Sequence, residues 1–296
     1  MFYDAAFEAL FTKHDAYKYG YKRITKSKLD KLQFQTVFSA FCLYTYDENL
    51  IAFTSIDALK FIKKASKVVG ITVDPQDFLD DAMQAVCLLI EDGIYITFAH
   101  RSFQEYFVAK YIEFARVAQN TSFVKRYLPR INTDQALPLL YEINPPFFEG
   151  EIVKHAEQIF TKIGVRDTIS KENYIKYMKS SFIAWTLVDK TKTSLSMQED
   201  TLWHLELFRY LANTLSGIYS PINLLALNEF QKQHKEETYP VKLVMKNINI
   251  RTKWVRFFSD SGIGLSFEEL QAAYSAYMKL KKNNLGAQKA LDDIFK

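Results

Sequence analysis

The sequence predicts a mainly α-helical fold with one small β-hairpin, and three observations carry that expectation. Gly (9) and Pro (7) are scarce in 296 residues, which disfavours a sandwich or barrel built on many tight turns. Apolar residues recur at helical spacing between recognisable cap residues over most of the chain. The run Leu88-Leu89-Ile90-Glu91-Asp92-Gly93-Ile94-Tyr95-Ile96-Thr97-Phe98 places two β-prone segments around an Asp-Gly turn, a strong local hairpin signal.

The elements follow in order. Phe2, Ala5, Phe7, Leu10 and Phe11 share one helical face, and no capping residue precedes them, so the opening helix reads as the end of a longer helical domain. Helices are then expected at about 31–45, at 55–68 ending on Gly70, and at 76–88 with Asp74 as N-cap and Pro75 in the first turn. The hairpin follows. Three helices and a hairpin are the parts of a winged helix, and the expected domains are 1–30 (end of a helical domain and basic linker), 31–99 (winged helix), 100–190 (helical) and 191–296 (C-terminal, mostly helical).

In the C-terminal half a short helix or connector is expected in 116–131, then helices at 134–143, stopping before Pro145-Pro146, and at 151–163, ending on Gly164. Ser170 caps a helix over 171–188; Ser196 with Glu199 forms a capping box for one reaching Gly217; Ser220 and Pro221 start another. Residues 241–257 alternate well enough for a short β element, although Pro240 also fits a helical first turn. Ser266 with Glu269 opens the terminal helix.

Composition narrows the function. An apolar content of 48% with 24% charge marks an ordinary globular protein. The net charge of +4 permits nucleic-acid contact without arguing for it, and residues 1–115 hold 13 Lys+Arg against 15 Asp+Glu. The third helix carries Asp77, Asp80 and Asp81 with no Lys or Arg between Val73 and Ile90, so it would repel phosphate. The stretch Lys13–Lys31, with Lys18, Lys22, Arg23, Lys26 and Lys28 among Tyr17, Tyr19 and Tyr21, fits either a solvated face or a patch that tracks a nucleic-acid backbone. Cys42 and Cys87 sit in apolar runs and read as buried free thiols. There is no signal-peptide pattern and no apolar run long enough for a bilayer, so a cytoplasmic protein without membrane contact is expected.

No P-loop, no metal-ligand spacing among the five histidines and no nucleophile elbow occur in the sequence, so no enzyme activity and no metal site are expected of this chain. The chemically suggestive stretch is Ile94–Tyr111, where strand alternation hands over to helical spacing at His100, with Phe103, Tyr106, Phe107, Tyr111 and Phe114 on one face. A helix start presents unpaired N–H groups to an anion. From spacing alone His100 reads as a structural cap, Arg101 as a first-turn charge, Ser102 as an N-cap, and Glu105 as its capping-box partner.

Residues 95–109, with Phe98-Ala99-His100-Arg101-Ser102-Phe103-Gln104-Glu105-Tyr106-Phe107-Val108-Ala109, closely resemble the winged-helix signature of NACHT-type STAND NTPases, the class that includes NOD-like receptors and bacterial anti-phage proteins. The opening Phe2–Phe11 is similar to the segment that precedes the winged helix in that family. The resemblance implies that His100 contacts the β-phosphate of ADP to hold a resting state, with Phe98, Arg101, Ser102, Phe103, Glu105 and Tyr106 as supporting motif residues. It implies an upstream NACHT nucleotide-binding domain as partner, ATP or ADP with Mg as ligands of the whole protein but of no site in this chain alone, and a C-terminal region that senses a phage-derived or host trigger and oligomerises on activation. The alternatives from the residues themselves are a winged-helix nucleic-acid binder and a helical interaction scaffold.

Overall fold

The computed structural model describes residues 2–13, 25–115, 123–187, 193–197, 201–218, 241–244 and 264–294. The chain divides into two compact units, 1–121 with 131–145 and 122–130 with 146–296. It therefore passes from one unit to the other three times. The expected boundary at 99/100 does not separate them, because the helix after the hairpin packs into the same core as the helices before it.

In the first unit, α1 (Phe2–Glu8) runs into a π-helical turn (Ala9–Lys13). α2 (Lys31–Asp47) starts on a full capping box, Asp30 accepting the Gln33 N–H while the Gln33 side chain accepts the Asp30 N–H. β1 (Ala52–Phe53) and α3 (Ser55–Val69) follow, α3 opening on Thr54 and closing on Gly70 in the left-handed conformation, φ 70°. α4 (Pro75–Asp80) is capped by Asp74, as expected, but the helix read to residue 88 changes to a π-helical turn (Asp81–Ala85) and stops. Cys87 then takes φ 56° and is half-exposed, so only Cys42 is the buried thiol that its apolar context promised. Burial pushes the Cys42 thiol well above its ordinary value.

The hairpin forms where expected: β2 (Leu89–Asp92) pairs antiparallel with β3 (Tyr95–Phe98), Asp92 opposite Tyr95, with Gly93 at φ 64° in the turn. β1 adds a third strand on the far side of β3, giving the order β1-β3-β2. Two residues are too few for a periodicity to reveal. α5 (Arg101–Ala115) leaves directly from this sheet.

Aromatic rings hold this unit together. Phe38 of α2 meets Phe107 of α5 edge-on with centroids 4.9 Å apart, and Phe34 stacks on Phe78 of α4 at 4.6 Å. Phe53 and Phe98 carry the packing into the sheet, and Phe7 brings α1 against Phe107. The unit closes with α7 (Ala136–Ile143), reached after α6 (Phe123–Tyr127) and a 3-10 turn (Leu128–Arg130) that belong to the other unit.

α7 stops before Pro145-Pro146 as expected, but α8 (Pro145–Ile163) of the second unit begins six residues earlier than expected, because the two prolines occupy its first turn. α9 (Lys171–Ser181) has the expected Ser170 cap, reciprocated by Asn173. It was read through to residue 188 but ends at Ser181, and the chain enters β4 (Phe182–Leu187), which pairs with β5 (Thr193–Met197) and β6 (Val241–Val244) in the antiparallel order β5-β4-β6. Phe-Ile-Ala-Trp-Thr-Leu is rich in β-branched and aromatic residues, and pairing on both sides overrides the helical spacing. Ser196 therefore lies in a strand and caps nothing described; α10 (Leu202–Arg209) starts after Thr201 and passes into a π-helical turn (Tyr210–Leu215). The second β element is real at 241–244, and the rest of 245–257, like the helix expected from Ser220, lies outside the described residues. α11 (Phe267–Ile294) opens on the Ser266–Glu269 capping box.

Phe160 is the hub of this core, stacking on Phe208 at 4.8 Å and meeting Tyr274 and Tyr277 at 5.0 and 5.2 Å. Phe123 of α6 packs on Phe147 and Phe148 of α8, and Lys125 lies over the Trp203 ring at 5.3 Å. Trp203 also meets the rings of His155 and His204. Burial, with Lys162 and Lys125 nearby, depresses His204 to about 4. A depressed imidazole contributes stability that is whole above its ordinary value of 6.5 and is lost as pH falls through about 4. Urea unfolding of the full chain should therefore weaken between pH 6.5 and 4, by at most about 3 kcal/mol from this group. His204→Gln should flatten that slope, and an unchanged slope would exclude His204 as its source.

Candidate functional site

The described part of the sequence signature occupies the β3–α5 junction. Phe98, the last residue of β3, is buried opposite Leu89, and the Ala99 N–H donates to the Leu88 carbonyl at 2.9 Å, so the strand keeps its pairing one residue past its end. His100 is the residue at which the helix starts: its carbonyl accepts the Phe103 N–H at 3.0 Å, and its ring Nδ1 accepts the Ser102 N–H at 3.2 Å. The Ser102 hydroxyl lies 2.5 Å from the same nitrogen. Ser102 is thus a first-turn residue and not the cap; the imidazole does the capping that an Asn or Asp side chain usually does.

This arrangement fixes the chemistry of the ring. With Nδ1 engaged as an acceptor of the Ser102 N–H, the neutral imidazole carries its proton on Nε2. His100 is exposed. In that tautomer it offers an N–H donor at the start of a fifteen-residue helix, whose dipole favours negative charge there.

The remaining motif residues brace that position. Arg101 pairs with Glu105 one turn on, Nε to Oε1 at 3.0 Å. The capping-box role expected of Glu105 is not seen: it is buried among α5 and the start of α7, where burial raises its carboxyl above the usual range while Arg101 and the Gln135 N–H oppose the shift and Asp134 adds to it. Asp134 in turn accepts the Tyr46 hydroxyl at 2.7 Å and the Ala136 N–H at 3.1 Å. Tyr106 stacks on Tyr3 at 5.1 Å and donates its buried hydroxyl to Asp4, which holds the phenol far above its ordinary value after the larger effect of burial. Phe103 meets Tyr3 edge-on at 5.9 Å. Phe114, expected on the packed face, is 58% exposed, because the buried part of α5 ends at Ile112.

Gln104 lies inside the motif but was not singled out from the sequence. Its amide donates to Thr45 Oγ1 at 3.0 Å and to the Leu50 carbonyl at 2.9 Å, closing the end of α2 and the turn after it. An uncharged Gln within the aromatic run of Phe103, Tyr106 and Phe107 is the signal that could have revealed it, because a buried amide needs a partner.

Of the five basic residues singled out in this stretch, Lys26 and Lys28 are described, and both are exposed. Lys18, Lys22 and Arg23 lie outside the described residues. Lys26 does not face solvent freely: its ammonium pairs with Asp80, and its N–H and that of Ser27 donate to the two oxygens of buried Asp81 at 2.9 and 2.8 Å. The hydrogen bond and charge of Lys26 hold the Asp80 carboxyl below its usual range. Lys28 takes φ 57°. The acidic third helix thus anchors the incoming chain. Among the described residues no group of three or more His, Cys, Asp or Glu side chains could hold a metal ion, and no helix is long and apolar enough to cross a membrane.

Removing the Gln104 amide strands one buried and one half-buried acceptor, so Gln104→Ala should cost about 2 kcal/mol in urea unfolding of the full chain. Gln104→Glu keeps the shape but supplies no donor and should cost more at pH 7; a milder effect than alanine would show that shape and not donation matters.

No curated protein and no solved structure matches the chain. A family model does, over residues 143–295, that of the Short NACHT-associated C-Terminal domain, family 13. This match covers more than half of the sequence and nearly the whole contiguous part of the second unit, and the chain belongs to that family of C-terminal regions of NACHT-type proteins.

Proposed function

We propose that the chain is the regulatory and sensing portion of a NACHT-type STAND ATPase that serves bacterial anti-phage immunity. The first unit is its winged-helix module, and His100 is the residue that reads the phosphates of a nucleotide held by the NACHT domain upstream. The observation that carries this reading is the capped imidazole: Nδ1 is fixed by Ser102, which leaves Nε2–H exposed as a donor at a helix start. The family of the C-terminal region, described as NACHT-associated, supports a NACHT domain as its partner.

The residues present fit an ADP β-phosphate as one contact and not as a full site. His100 would donate one hydrogen bond, Ser102 would hold the ring's tautomer, and the Arg101–Glu105 pair would keep the first turn of α5 in place. Charge neutralisation, Mg and the attacking water all fall to the upstream domain, so this chain alone neither retains ADP nor hydrolyses ATP. The second unit recognises the trigger, of phage or host origin, and the resting state gives way to an oligomer.

The test is nucleotide content. In the protein carrying both the NACHT domain and this chain, His100→Ala should lower the ADP that co-purifies by about tenfold or more, the worth of one hydrogen bond to a charged group. Ser102→Ala should lower it less, by loosening the ring. Retention unchanged by His100→Ala would remove the histidine from the site.

A further inference from the structure

Charge in the first unit is distributed in an unusual way. Among its described side chains, Lys26, Lys31, Arg101 and Lys110 each have a carboxylate partner: Asp80, Glu8, Glu105 and Asp4. Apart from Lys28, the basic residues without such a partner are Lys60, Lys63, Lys64 and Lys67, and all four belong to α3. All four are exposed, on the side opposite buried Ala58, Phe61, Ile62 and Ala65. Their spacing of three and four residues gathers them on one helical face.

That face is costly to the free protein. Lys60 with Lys64 and Lys63 with Lys67 are like charges one turn apart, and Lys60 with Lys63 and Lys64 with Lys67 are close to it, an arrangement that destabilises a helix. The carboxylate that could relieve it, Asp57 one turn before Lys60, is instead engaged with Thr54, whose hydroxyl donates to it at 2.8 Å. Lys64 rests 5.8 and 5.5 Å over the rings of Tyr44 and Phe61, which steadies its stem but leaves its charge unpaired.

We propose that this α3 face is a docking surface for the phosphate backbone of a nucleic acid. Four lysines over eight residues span about 10 Å of helix, the rise of about three phosphates on one strand. Protein interfaces have few lysines at their centre and rely on aromatic or arginine anchors, and between Lys60 and Lys67 no aromatic or arginine is exposed. The same absence of Arg, Asn and Gln leaves nothing to read base edges, so contact is with backbone and independent of sequence. The acidic α4, with Asp74, Asp77 and Asp80, keeps the strand from the helix that reads the groove in DNA-binding winged helices. The inference does not depend on the role of His100.

The test uses the full chain and fluorescent 20-mers of mixed sequence, duplex and single-stranded, read by anisotropy across a KCl series. Binding is expected at low salt, with log K falling on log[KCl] with a slope of about −3 to −4 for the duplex. Replacing all four residues together, Lys60→Gln, Lys63→Gln, Lys64→Gln and Lys67→Gln, should abolish it. The corresponding four-fold change to Arg should preserve it, and Lys171→Gln with Lys176→Gln and Lys179→Gln should leave it unchanged. Gln propagates helix about as well as Lys, so the four-Gln variant should melt no lower than the parent at low salt, which separates lost binding from lost folding. Absence of binding at 20 mM KCl, equal binding by the four-Gln variant, or displacement by poly-glutamate as effective as by unlabelled oligonucleotide would overturn the proposal, the last by pointing to an acidic protein instead.

Discussion

Six consecutive residues of α5, Gln104 to Ala109, are buried, so this helix is enclosed on every side over more than a turn and each polar group in it must find a partner inside the protein. Three such groups come in a row and each finds it on a different element. Gln104 reaches the end of α2 and the turn beyond it, Glu105 meets Arg101 and the start of α7, and Tyr106 reaches Asp4 on α1. The apolar residues that follow them then lock onto α1 and α2 through Phe107. With its position set from so many directions, α5 has no freedom to slide, and His100 at its first turn inherits that rigidity.

Rigidity at this junction suits the phosphate-reading role proposed for His100. A donor that must meet an anion presented by another domain loses less entropy if its ring is already fixed. Here the fixing is local and inexpensive: the backbone N–H and hydroxyl of Ser102 hold one ring nitrogen and leave the other for use.

The elements that were legible in the sequence are those whose signals are local. Asp74, Ser170 and Ser266 cap where their side chains suggest, Gly70 and Gly164 take the left-handed conformation at helix ends, and Asp92-Gly93 turns the hairpin. What sequence reasoning misplaced depends on partners far along the chain. β4 was read as the end of a helix because its pairing strands lie at 193–197 and 241–244, and β1 was missed because its partner is β3. The same holds at the site: the spacing singled out His100 and correctly gave it a capping role, but assigned the N-cap to Ser102, because an imidazole acceptor at that position is uncommon. The part played by Gln104 depends on Thr45 and Leu50, more than fifty residues away. The acidic residues of the third helix predict repulsion of phosphate, but their sequence does not show that Asp81, in the turn after α4, is buried and binds the chain that enters from the basic stretch.

The three passages of the chain between its two units bear on how such proteins are assembled from parts. The family match begins at residue 143, yet α6, with Phe123 against α8 and Lys125 over Trp203, belongs to the core that the matched region builds. A C-terminal module exchanged between genes at residue 143 would arrive without this helix and would have to pack against whatever segment the recipient offered in its place. Recombination that keeps the core whole must carry 122–130 along with the tail, although α7 of the other unit lies between them in the sequence. The C-terminal region and the unit before it are in that sense interleaved, and divergence in one is constrained by a short stretch that sits within the span of the other.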